Sequence, residues 1–75
     1  MQYKNFGKFI RSKREALIPK VSLNKFALDN DIEPAILCRV ETQQQDIKLN
    51  VIVKIAKGFN LKVSELLAEY ESSAI

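Results

Sequence analysis

The twenty residues Ser22–Glu41, SLNKFALDNDIEPAILCRVE, constrain this chain more than any other stretch. Ser22 is suited to cap a helix, because its hydroxyl can accept a bond from a backbone N–H that has no partner inside the helix. Phe26 and Ala27 supply the apolar stripe of that helix. Asn30–Asp31 ends it, since short polar side chains tolerate a left-handed backbone and favour turns. Glu33–Pro34 restarts the chain as a helix, with proline in the first turn, where its missing N–H costs nothing. Ile36, Leu37 and Val40 form the buried face of this second element, and Ala35, Cys38, Arg39 and Thr42 point elsewhere. Two short helices joined by a tight break predict a helix-turn-helix.

Length limits what can surround this unit. Seventy-five residues make one small domain over 1–75, near the lower limit for a self-sufficient core. The core is expected over about 5–70, with ESSAI (71–75) as a frayed tail. Hydrophobic residues make up 47% of the chain and there are only two glycines and two prolines, enough apolar material to argue against disorder. The single cysteine cannot form an internal disulfide, so a reducing, cytoplasmic location is expected. No apolar run approaches the roughly 18 residues of a membrane span, and the N-terminus lacks a secretory apolar region.

The net charge of +3 is unevenly spread. Residues 1–25 hold seven basic side chains against one acidic. Residues 26–47 hold Arg39 alone against Asp29, Asp31, Glu33, Glu41 and Asp46. Residues 48–61 add three lysines, and 62–75 return a small acidic excess. The basic balance suits phosphate binding, whereas the acidic centre opposes it.

Apolar periodicity predicts three further helices. Phe6, Phe9, Ile10 and Leu17, with Lys13, recur at helical spacing over Asn5–Leu17. Ile18–Pro19–Lys20–Val21 breaks this helix, because proline forbids its continuation. Thr42–Ile47 reads as a polar loop. Leu49, Ile52, Ile55, Ala56 and Phe59 define a fourth helix over Leu49–Phe59, with Asn60 as its stop. Val63, Leu66, Leu67 and Tyr70 mark a short fifth. No β alternation persists and there are no repeats, so the expected fold is all-α, compact and five-helical.

The ordered set of these residues resembles the Xre family, the lambda-repressor-like, Cro-type helix-turn-helix domains of bacterial and phage regulators. The resemblance runs from about Phe6 to Leu67. It rests on Ile10, Arg11 and Arg14; Ser22, Phe26 and Ala27; Ile32, Leu37, Arg39, Val40 and Glu41; Leu49, Ile52, Ile55 and Ala56; and Ser64, Glu65, Leu66 and Leu67. Three departures stand out. Family members usually begin the second helix with Ser/Thr-Gln, and here the glutamine position is Leu23, whose side chain makes no polar contact. Its backbone amide at the helix N-terminus can still meet a phosphate. The usual turn glycine is Asp31, and the Arg14-to-Ser22 connection is slightly longer than in compact phage relatives.

The resemblance implies double-stranded DNA as partner, with a recognition helix over about 33–42 in the major groove. It places Pro34, Ala35, Cys38 and Arg39 against base edges. Arg39 can fork onto guanine O6 and N7; the alternatives are a phosphate contact or a solvated surface arginine. Pro34 and Ala35 offer apolar contact, for instance to a thymine methyl. Glu33 could accept from cytosine N4, but a role beside the helix N-terminus is preferred. Cys38 is either a redox-sensitive thiol or, as preferred here, a small filler at a tight contact.

Phosphate contacts are expected from Ser22, the Leu23 amide, Lys25, Thr42, Gln43, Gln44, Gln45 and Lys48, because backbone gripping needs donors. A plain hydrophilic loop is the alternative for the glutamine run. Lys4, Lys8, Arg11 and Lys13 would add salt-sensitive attraction, or form a solvated face. Arg14 and Glu41 are implied to pair across the first and third helices and hold the recognition helix in place. Ala27 is expected where the second and third helices cross closely.

The leading expectation is thus a sequence-specific DNA-binding transcriptional regulator, a repressor acting by occupancy. The resemblance implies a homodimer on near-palindromic sites. With the chain ending soon after the fifth helix, any dimer must use this domain's own surface, and Val51, Val53 and the fifth helix are the candidates. The alternative is a protein-interaction module, such as the antitoxin of a toxin–antitoxin pair, motivated by the acidic centre and by Leu23, Glu33 and Pro34. An enzyme is not expected, for want of histidine, of a nucleophile–base pair and of room for a pocket. No cofactor is expected, and one cysteine without histidine leaves too few soft ligands for a metal.

Overall fold

Capping chemistry divides the chain into its elements. The computed structural model describes residues 5–42 and 47–73. They form α1 (Phe6–Glu15), α2 (Leu23–Asp29), α3 (Pro34–Glu41), α4 (Leu49–Gly58) and α5 (Val63–Ser73), with no strand among the described residues. The fold is all-α. Ser22 caps α2 through its hydroxyl, which accepts from the Lys25 N–H at 3.2 Å. Pro34 opens α3, where a ring without an N–H removes no helical bond.

Two helices end in the same way. After α2, Asp31 takes a left-handed φ of 57°, the Ile32 N–H reaches back to the Ala27 carbonyl at 2.8 Å, and the Asp31 N–H points to that of Leu28. After α4, Asn60 takes φ 59°, and the N–H groups of Leu61 and Asn60 close onto Ala56 and Lys57 at 2.9 and 3.0 Å. Both are Schellman endings, in which a left-handed residue turns the chain and satisfies the last carbonyls. Asp31 and Asn60 therefore occupy positions that usually favour glycine, at the steric cost that short polar residues bear best.

Two boundaries and one face differ most from expectation. α1 ends at Glu15 rather than Leu17, although the Leu17 N–H still bonds to the Arg14 carbonyl at 3.1 Å. α5 continues through Ser73, so residues 71–73 are helical rather than a frayed tail; the Ser73 hydroxyl donates to the Tyr70 carbonyl at 3.0 Å. At its start, the Lys62 N–H donates to the Glu65 carboxylate at 2.8 Å, satisfying a backbone group left without a helical partner. Leu49, expected in the core stripe of α4, is 68% exposed. It occupies the first position of the helix, ahead of Ile52, the first α4 side chain to be buried.

All five helices feed one core. Phe6 and Ile10 enter from α1, Phe26 and Ala27 from α2, Leu37 and Val40 from α3, Ile52, Ile55 and Ala56 from α4, and Leu66 and Tyr70 from α5, with Ile32 from the turn. Ile36 packs at the margin of this cluster rather than inside it. Edge-on ring contacts of Tyr70 with Phe6 (5.2 Å) and Phe9 (5.6 Å) join α5 to α1. Val51 also packs against the core, which accounts for a residue otherwise reserved for dimer contact.

α4 approaches α2 closely. A Cβ on Gly58 would stand 2.6 Å from Phe26 Cζ and 2.8 Å from Asn30 Nδ2. Neither neighbour is free to yield: Phe26 is buried and in tilted ring contact with Phe59 at 4.8 Å, and Asn30 Nδ2 donates to the Phe26 carbonyl at 2.7 Å. Alanine is the better helix former by about 1 kcal/mol in a helix interior, and less at a terminus. Overpacking costs about 1–3 kcal/mol and decides the sign. Gly58→Ala is therefore expected to lower the urea midpoint; an unchanged or raised midpoint would show that α2 and α4 can separate.

Among the described residues, charge enters the interior at one place. Arg14 Nε donates to Glu41 Oε2 at 2.9 Å and Nη2 donates to Oε1 at 3.0 Å, while Nη1 donates to the Val21 carbonyl at 3.0 Å. The two side chains are 9% and 4% exposed. The hydrogen bond with Glu41 holds the Arg14 guanidinium above its ordinary pKa, outweighing the opposite effect of burial. The charge on Arg14 thus persists through the neutral range, and the stability that this shift carries is lost as pH rises through the raised value in strong alkali. Removing one partner leaves the other buried and uncompensated, so Glu41→Ala is expected to cost about 3–5 kcal/mol. Chemical denaturation measures this, and a variant as stable as the parent would show that the pair is dispensable.

Candidate nucleic-acid interface

Helical spacing sets which residues of α3 share a face. Ala35, Cys38, Arg39 and Thr42 stand at i, i+3, i+4 and i+7 and form one row. All four are exposed, whereas Leu37, Val40 and Glu41 are buried on the other side. Pro34 lies at the margin of the row, half-buried. Glu33 is the exposed N-cap residue of α3, and its side chain makes no capping hydrogen bond.

Within the row the side chains differ in what remains available. Arg39 has no ion-pair or hydrogen-bond partner for its side chain among the described residues, so its guanidinium donors are free. Cys38 is an exposed free thiol. Thr42 is the C-cap residue, and its hydroxyl donates to the Cys38 carbonyl at 2.8 Å, with the Arg39 carbonyl at 3.4 Å. Its donor is thus spent on the last turn of α3.

The residues expected to hold phosphates are placed as follows. The Ser22 oxygen accepts from the Lys25 N–H and keeps its own proton available for donation. Leu23 is half-buried and packs against the core, so that its side chain serves the scaffold. Lys25 Nζ pairs with Asp29 at 3.0 Å on the exposed side of α2. Lys48 is the exposed N-cap residue of α4. Gln43, Gln44 and Gln45 lie outside the described residues. On α1, Arg11 pairs with Glu15 at 3.5 Å and Lys13 with Glu69 at 2.6 Å. Lys13 also stands 5.4 Å from the centre of the Phe59 ring. That lysine belongs to the α1–α5 contact more than to a free basic face.

One feature of the mounting is absent from the sequence reading. Lys54, on α4, donates from Nζ to the Asp31 carbonyl at 2.9 Å. This bond ties α4 to the turn that sets α3 against α2. No local pattern announces it, because its partner is a backbone oxygen 23 residues away. Gly58 was equally silent, its role depending on what lies across the α2–α4 contact.

No helix among the described residues is long and apolar enough to cross a membrane. The chain matches no protein-family model, no curated protein and no solved structure.

The exposure of the row can be checked directly. Cys38 in the native protein is expected to react with Ellman's reagent in a single phase without denaturant, and the adduct should change stability by no more than about 0.5 kcal/mol, as is usual at surface positions. A thiol that reacts only after unfolding would turn this face of α3 inward.

Proposed function

We propose that this chain binds double-stranded DNA as a transcriptional regulator, a repressor acting by occupancy, with α3 in the major groove. The observation that carries the proposal is the exposed row of α3. A helix with its side chains is about 10–12 Å across, and the major groove is about 12 Å wide. A helix of this width fits with its side chains, and the row that leads into the groove meets the base edges. Ala35, Cys38 and Thr42 are short, and the one long side chain among them, Arg39, is a cation with unengaged donors. The seating of α3 by Arg14 and Glu41 keeps that row in a fixed position, which base contact needs. The ordered resemblance to the Xre family supports the same reading.

Phosphate gripping would come from the Ser22 hydroxyl, the α2 N-terminus, Lys25 and Lys48. Asp29 holds Lys25 only across an exposed pair worth at most about 1 kcal/mol, which a phosphate can replace. Asp31 and Glu33, exposed beside α3, oppose the phosphates and lower the affinity that the net charge alone would predict.

Fluorescence anisotropy of a labelled generic duplex at about 50 and 200 mM salt tests the proposal. Binding is expected in the 10⁻⁴–10⁻⁶ M range and should weaken steeply with salt. Arg39→Ala should weaken it further without changing the thermal midpoint. Absence of binding at both salts would overturn the DNA reading and favour a protein partner, such as the toxin of an antitoxin pair.

A further inference from the structure

We infer that the DNA site is read through one guanine flanked by thymines, with no direct recognition of adenine by α3. This inference rests on the DNA-binding reading and deepens it. Each base pair shows a distinct set of donors, acceptors and methyl groups in the major groove, so the chemistry of the reading row limits what it can select.

The structure leaves the row with one strong hydrogen-bonding group. Arg39 offers a planar fork of donors and no acceptor, and none of these donors is engaged within the described fold. The guanine edge presents two adjacent acceptors, O6 and N7, which match such a fork. Adenine presents an acceptor beside a donor, and its paired readout uses the amide of Asn or Gln; α3 contains neither. A carboxylate suited to the cytosine amino group is also missing from the row. Glu41 is committed to Arg14 in the interior, and Glu33 is the N-cap residue, ahead of the first turn and outside the row.

The remaining members of the row offer a ligand methyl groups and no strong donor. Ala35 presents a methyl, and Cys38 a thiol that is only a weak donor. Thr42 would ordinarily offer a hydroxyl proton to a base, but that proton is turned back onto the Cys38 carbonyl at 2.8 Å. Its methyl group and an oxygen lone pair remain. The thymine C5-methyl is the groove feature that such a surface complements.

Selection from a random duplex pool, followed by anisotropy on the selected duplex, tests this. The selected sequences should share a guanine with thymines beside it. Replacing that guanine with 7-deazaguanine, which lacks the N7 acceptor, should weaken binding roughly five- to hundredfold. Replacing the flanking thymines with uracil should weaken it by a smaller factor. Arg39→Ala should retain weaker, salt-sensitive binding to generic duplex but lose the discrimination against 7-deazaguanine. Salt-sensitive binding with no guanine in the selected pool, or with no response to 7-deazaguanine, would overturn the base code while leaving DNA binding intact. Failure to bind any duplex would overturn both.

Discussion

The fold depends on one interaction between charges in a small apolar interior. The guanidinium of Arg14 forks onto the Glu41 carboxylate, and its third nitrogen holds the Val21 carbonyl in the α1–α2 connection. One side chain thereby links α1, α3 and the loop before α2. A buried ion pair is a weak source of net stability, because desolvating two charges offsets most of their attraction. Its effect here is geometric. A bidentate contact has narrow geometric requirements, so the pair constrains the angle of α3 to α1.

A second set of constraints fixes the turn between α2 and α3. Asp31 adopts the left-handed conformation that reverses the chain, and Lys54 clasps its carbonyl from α4. Gly58 permits the backbone of α4 to come within contact of the side chains of Phe26 on α2 and of Asn30, the C-cap residue of α2. The turn is thus supported from below as well as by its own backbone bonds. Such support would serve the proposed reading of bases by α3, because displacement of a side chain by about 1 Å is enough to lose a hydrogen bond.

The charge distribution takes on a different meaning once partners are known. Seven cations among the first 25 residues promise a strongly basic face. In the folded chain Arg14 is internal, and Arg11, Lys13 and Lys25 each face a carboxylate. The exposed pairs are weak and exchangeable, so they lower the attraction for phosphate without abolishing it. The central acidic segment is diluted in the opposite sense, since Glu41 is neutralised in the interior and Asp29 at the surface.

Much of this architecture is legible in the residues. Capping by Ser22, the start at Pro34, the stops at Asp31 and Asn60 and the apolar periodicities are local, acting within a few residues of one another, and they determine five helices and which face each buries. The resemblance adds the Arg14–Glu41 pairing. Tertiary structure decided the rest. It exposed Leu49 despite its place in the α4 stripe, folded Leu23 and Val51 into the margins of the core, extended α5 through Ser73, and gave Gly58 and Lys54 their roles. It also spent the Thr42 proton on α3, leaving Arg39 as the unengaged donor of the exposed row. Helix formation is governed by neighbours in sequence, whereas burial, close approach and the availability of a donor depend on atoms brought together only when the helices pack.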